Sequence, residues 1–167
     1  MYATNTERAS FRALWLLVLA CLASPLSVAD NERPTTLEVK ATAAVRQDHS
    51  RGRGLVPADR VVPGDEVFYT LEIRNMGSRP LPPPTVDFPI PEHMRYIANS
   101  AVGAGAEVSY SVDGGHTFDR PENLSVFPVG GYARPATATD YTHIRWRLKH
   151  ALQGNAMALA RFRDVVK

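Results

Sequence analysis

Apolar and polar residues take turns along several short stretches of this chain, and that period of two limits the fold more than any other feature. Val67, Tyr69, Leu71 and Ile73 fall on one side of a stretch whose other side is Glu66, Thr70, Glu72 and Arg74, with only Phe68 breaking the polar side. Successive strand side chains point to opposite faces, so this alternation defines a sheet with one buried face. The pattern recurs at Leu37, Val39, Ala41, Ala43 and Val45, where Glu38, Lys40 and Thr42 share the opposite face, at Val108, Tyr110 and Val112, and at Ile144, Trp146 and Leu148. Turn signals separate the stretches: Pro63-Gly64-Asp65, Asn75-Met76-Gly77-Ser78 and Asp113-Gly114-Gly115. Residues 156–166 are ambiguous, because Met157 and Leu159 interleave with Ala158, Ala160 and Phe162. A strand is preferred there over a short helix, since two valines follow and one turn separates it from the preceding ladder. Six to eight short strands without an amphipathic helix predict an all-β, antiparallel β-sandwich of about seven strands, with a barrel as the fallback.

Other segments read as connections. Gln47 to Arg60 is polar and basic and predicts an exposed loop. Six of the thirteen prolines fall between Pro80 and Pro91. Proline cannot donate to a ladder, so this segment is an edge strand or a crossover, never a central strand. Leu124 to Phe127 is a short candidate strand in a loop-rich region.

The N-terminus carries a different signal. Arg8 and Arg12 precede an apolar run from Ala13 to Ala23, followed by Pro25 and the small-x-small triplet Ser27-Val28-Ala29. This is the pattern of a secretory signal peptide, and the run is well short of the roughly 20 residues that span a bilayer. The expected organisation is a signal-peptide helix over 1–29, cleavage between Ala29 and Asp30, a flexible leader over 30–35 and the sandwich over 36–167. Val18-Leu19-Ala20-Cys21 offers an alternative, a lipoprotein box with a lipid anchor at Cys21. Either way the expected destination is the periplasm, the cell surface or the extracellular space.

Cys21 is the single cysteine, so no disulfide staples the domain and no cysteine nucleophile or cysteine-based zinc site is expected within it. His49, His93, His116, His143 and His150 show no HxH or HxxxH spacing, and no Gly-x-Ser-x-Gly elbow surrounds a serine. A net charge of +2 without a concentrated basic stripe argues against nucleic-acid binding. Ser111-x-Asp113-x-Gly115-x-Thr117-Phe118 fits the Asp-box pattern, which ties off a hairpin turn and has a structural role. Neither cofactor nor metal is expected.

Val62-Pro63-Gly64-Asp65-x-Val67-x-Tyr69, closed by Asn75-x-Gly77, resembles the start of the bacterial conserved repeat domain (domain of unknown function eleven). Val86-Asp87-Phe88-Pro89-Ile90-Pro91, then Met94-x-Tyr96 and Ser100, and finally Ile144-Arg145-Trp146 with Gly154, extend the resemblance over roughly residues 35 to 165. It implies an immunoglobulin-like sandwich of exported and cell-surface proteins, commonly in tandem copies, and brings no enzymatic activity or binding residues. The functional expectation is a non-enzymatic cell-envelope module with a structural or protein-interaction role. The alternative is a carbohydrate-binding module recognising a surface glycan, with Phe68, Tyr132 and Tyr141 as candidate ligand-facing rings.

Overall fold

A computed structural model describes residues 36–49, 52–103 and 105–167. The expected signal segment, with Cys21, the Ala29–Asp30 cleavage site and the 30–35 leader, lies outside the described residues. The rest is the antiparallel β-sandwich that the alternation demands. One layer is a six-stranded sheet of β1 (Leu37–His49), β2 (Gly52–Pro57), β3 (Glu66–Asn75), β5 (Met94–Tyr96), β6 (Val102–Gly103) and β11 (Met157–Val166). Its strand order is β2-β1-β3-β11-β5, with β6 also paired to β11. The other layer has three strands, β4 (Thr85–Pro89), β10 (His143–Leu148) and β7 (Ala106–Ser111), in the order β4-β10-β7. A small ribbon of β8 (Ser125–Val126) and β9 (Arg134–Pro135) stands apart. Among the described residues the two layers together hold nine strands, against the seven or so expected.

On β3 and β10 the buried faces are those read from the alternation; on β1 only Val45 of the predicted face is buried, and Val39 and Ala41 are exposed. Val67, Tyr69, Leu71 and Ile73 of β3 and Ile144, Trp146 and Leu148 of β10 are all buried. Across the layers Trp146 lies 5.9 Å from Phe162, which stacks on its neighbour in the same sheet, Tyr69, at 4.5 Å. The ambiguous C-terminal stretch is a strand whose inward residues are Ala158, Ala160, Phe162 and Asp164, because its register opposite β3 pairs Ala158 with Ile73 and Phe162 with Tyr69. One expectation changes. Gln47 to Arg60 is not wholly a loop: β1 continues to His49 and β2 returns beside it, from Ala44↔Pro57 to His49↔Gly52. Backbone pairing extends the ladder there although the sequence lacks an apolar period. The proline-rich segment becomes β4, an edge strand of the smaller sheet, as proline chemistry requires.

Two polar residues inside this core act in opposite directions. Asn75 is 1% exposed; its Nδ2 donates to the carbonyls of Arg79 (2.7 Å), Leu152 (3.0 Å) and Gln153 (3.0 Å), while its Oδ1 accepts from the Gly77 N–H at 3.0 Å. One amide thus fastens the β3–β4 connection to the β10–β11 turn. That approach is so close that a Cβ on Gly154 would collide with the Ser78 carbonyl, which explains the glycine without any special backbone angle. Asp164, in contrast, is fully buried, and neither carboxylate oxygen has a hydrogen-bond partner among the described residues. Burial penalises its charged form and pushes its pKa up to about 7.

Two outcomes follow for stability. Asn75→Ala leaves several buried groups unpaired and should cost about 3 kcal/mol, read as a fall in Tm of about 10 °C. Between the ordinary carboxylate pKa and about 7, native Asp164 holds a proton that the unfolded chain has released. Unfolding then sheds a proton, so stability should fall as pH rises from about 4 to about 7, by up to about 4 kcal/mol, and level off above. Urea titrations across this range check it, with Asp164→Asn expected to flatten the decline.

Candidate functional site

The most organised surface grows from the hairpin that follows β7. Ser111 Oγ donates to Asp113 Oδ1 at 2.6 Å and accepts from the Gly115 N–H at 2.9 Å. The Asp113 carboxylate accepts from the backbone N–H groups of His116 (3.2 Å) and Thr117 (3.0 Å), and from Thr117 Oγ1 at 2.6 Å. The Ser111 and Thr117 hydrogen bonds hold the Asp113 carboxyl well below the usual carboxylate range. Gly114 and Gly115 supply φ of 76° and 88°, angles that a side chain disfavours. The Asp-box reading of this segment as a hairpin lock is therefore met in its geometry.

The lock aims the chain at a second set of ties. Asp119 bridges back to Tyr110 through two backbone bonds of 2.9 and 3.0 Å. Its Oδ1 accepts from Arg120 N–H and Asn123 Nδ2, closing the 3-10 turn Pro121–Asn123. Phe118 is held under the Arg145 guanidinium, 3.7 Å from the ring centroid, while Arg145 forks onto Asp87 through two 2.7 Å bonds. Leu124 is buried and anchors the next segment.

From there β8 and β9 carry a protruding loop, residues 127–133. Its far side is clasped by Arg134, whose two terminal nitrogens reach Asp140 at 2.8 and 2.7 Å. Thr137 N–H and Oγ1 both donate to Asp140 Oδ2 at 2.8 Å. Arg134 first, helped by Thr137, keeps the Asp140 carboxyl ionised well below its ordinary pKa. At the tip Phe127, Val129 and Tyr132 are 79%, 106% and 96% exposed. A groove of about 640 Å³ runs beside the loop, lined by Val112, Phe118, Asn123, Val126 and Phe127 among others. A fixed base thus presents three apolar side chains to solvent.

The three rings expected to face a ligand are not brought together. Phe68 is half-buried on the outer face of the six-stranded sheet, with the Arg46 guanidinium 5.0 Å from its centroid. Tyr141 is half-buried and stacked on Tyr110 at 4.4 Å, within a cluster where the Tyr96 and Tyr110 hydroxyls share a 2.9 Å hydrogen bond. Of the three, Tyr132 alone is a free ring. Sequence reading missed its companions, Phe127 and Val129; their signal was an apolar Phe-Pro-Val-Gly-Gly-Tyr run with turn chemistry on both sides and no alternation. Among the described residues no group of three His, Cys, Asp or Glu side chains is placed to hold a metal ion, and no helix is long and apolar enough to cross a membrane.

No family model, no curated protein and no solved structure matches this chain.

Asp113→Ala removes the acceptor that gathers the turn 113–117. Amide exchange of His116 and Thr117 should accelerate by about tenfold, measured by hydrogen–deuterium exchange, while the β3 amides stay protected.

Proposed function

We propose that this chain is an exported, non-enzymatic module of the cell envelope that contacts another protein through the loop 127–133. The observation that carries this reading is the exposure of Phe127, Val129 and Tyr132 together on a loop whose base is tied by the Arg134–Asp140 clasp and the Leu124 anchor. Water-exposed apolar side chains cost solubility, and a rigid presentation lowers the entropy lost on docking, so such a tip favours a protein contact. Export is supported by the sequence pattern around Arg12, Ala13–Ala23 and Ser27-Val28-Ala29. The glycan reading, which named Phe68, Tyr132 and Tyr141 as candidate rings, keeps Tyr132 as an exposed ring, Phe68 and Tyr141 being half-buried.

The test is chemical cross-linking in the envelope fraction of producing cells. Phe127→Ser combined with Tyr132→Ser should reduce the recovered complexes by about 30-fold, corresponding to about 2 kcal/mol for loss of aromatic anchors. Complexes undiminished in this variant, with the fold intact, overturn the proposal. Mass measurement of the mature N-terminus should give Asp30 or a lipidated Cys21; a chain retaining Met1 contradicts export.

A further inference from the structure

The two layers differ in width, and the difference leaves one border of the sandwich uncovered. Tyr110 of β7 meets Tyr96 of β5, whereas Phe88 of β4 lies 5.9 Å from Tyr69 of β3 and 5.4 Å from Phe162 of β11. β7 therefore lies over the β5 side and β4 over the β3 side, so the next strand position beyond β4 lies above β1. Val39 and Ala41 of β1 are on the inner face, in register with Ile73 and Leu71. Those two partners are 1% and 0% exposed, yet Val39 is 42% exposed and Ala41 is exposed as well. An apolar strip of the core face is open there.

The same border carries an unpaired backbone edge. The Ile90 N–H donates to the Thr142 carbonyl at 2.8 Å and the Leu148 N–H to the Pro84 carbonyl at 3.0 Å. Antiparallel ladders alternate, so the even-numbered residues of this segment bond to β10. The N–H groups of Thr85 and Asp87 and the carbonyls of Thr85, Asp87 and Pro89 then point away from β10, and none has a backbone partner among the described residues.

We propose that this corner accepts an extended segment of a different polypeptide as an added strand beside β4. Its backbone pairs with Thr85 and Asp87, and its alternate apolar side chains close over Val39 and Ala41. The segment needed is about five residues long with a period of two, since that is the reach of the free edge. Its inward side is aliphatic, fitting the shallow seat that alanine leaves. Its outward side is polar and uncharged, because the carboxylate of Asp87 is already paired with the Arg145 guanidinium at 2.7 Å and offers no free charge to match. A second copy of this chain does not satisfy the corner. Pairing β4 with another β4 would bring that copy's own β3, which lies beneath its β4, into the place that β1 occupies here. The inference goes beyond the loop tip, which it neither uses nor requires.

Photo-cross-linking of the full chain in producing cells tests it, with a benzophenone side chain at position 41 or, as the opposite-face control, at position 40. Position 41 should give an adduct with another polypeptide at least tenfold more abundant than position 40. A synthetic peptide, Lys-Thr-Val-Thr-Val-Thr-Val-Lys, should compete with it. Thr85→Pro removes an outward N–H without touching a β10 bond, and Val39→Lys charges the strip at a position that already tolerates water; each should abolish the adduct. The Phe127→Ser, Tyr132→Ser variant should retain it, which separates this proposal from the loop-tip reading. An adduct of two copies of this chain, equal adducts from positions 40 and 41, adducts unchanged in Val39→Lys, or no adduct at all overturns the inference.

Discussion

The burial of β3 and β11 against β10 is the constraint on which the rest of this domain depends. The single cysteine lies before β1, so no disulfide can limit the unfolded ensemble of the sandwich, and cohesion falls to apolar side chains and backbone ladders. Trp146, Phe162, Leu71, Ile73 and Ile144 are each at most 1% exposed. Burying a large aliphatic or aromatic side chain contributes about 1.5–3 kcal/mol. These side chains come from strands distant in sequence, so their contacts form only when both layers are in place.

The candidate surfaces sit at the margins of that core. Asn75 fastens two turns on one side, and the Ser111–Asp113–Thr117 lock fastens a hairpin beside the smaller sheet. The Arg134–Asp140 pair ties the base of the loop on which Phe127, Val129 and Tyr132 are exposed. The unequal layers have a second consequence: three strands cannot cover the inner face of a wider sheet, so Val39 and Ala41 are left at a border whose neighbouring edge is unpaired. Asp164 adds an internal weakness, because a buried carboxyl without partners resists ionisation and ties stability to pH.

Much of the sandwich was legible because period two is a direct projection of strand geometry. β3 and β10 could be read residue by residue, proline chemistry placed β4 at an edge, and the Asp-box spacing gave the hairpin lock. The remainder was hidden for specific reasons. β5 and β6 are too short to show a period, and β1 runs on to pair with β2 beyond the end of its apolar alternation. Asp164 occupies an inward position that alternation predicts to be apolar, so only the register against Val67 reveals its burial. The loop tip was half visible: Tyr132 stood out as an aromatic in a turn, but whether a ring projects or packs depends on tertiary contacts, as Tyr141 and Phe68 demonstrate.

Amide hydrogen exchange followed residue by residue on the folded protein tests the central claim most directly. Two faces pressed together without a covalent staple, the narrower ending at β4, predict the slowest exchange at β3, β10 and the centre of β11, with Thr85 and Asp87 exchanging at close to the rate of exposed loops. Fast exchange throughout β3, or strong protection of Thr85 and Asp87 in the isolated protein, would contradict it.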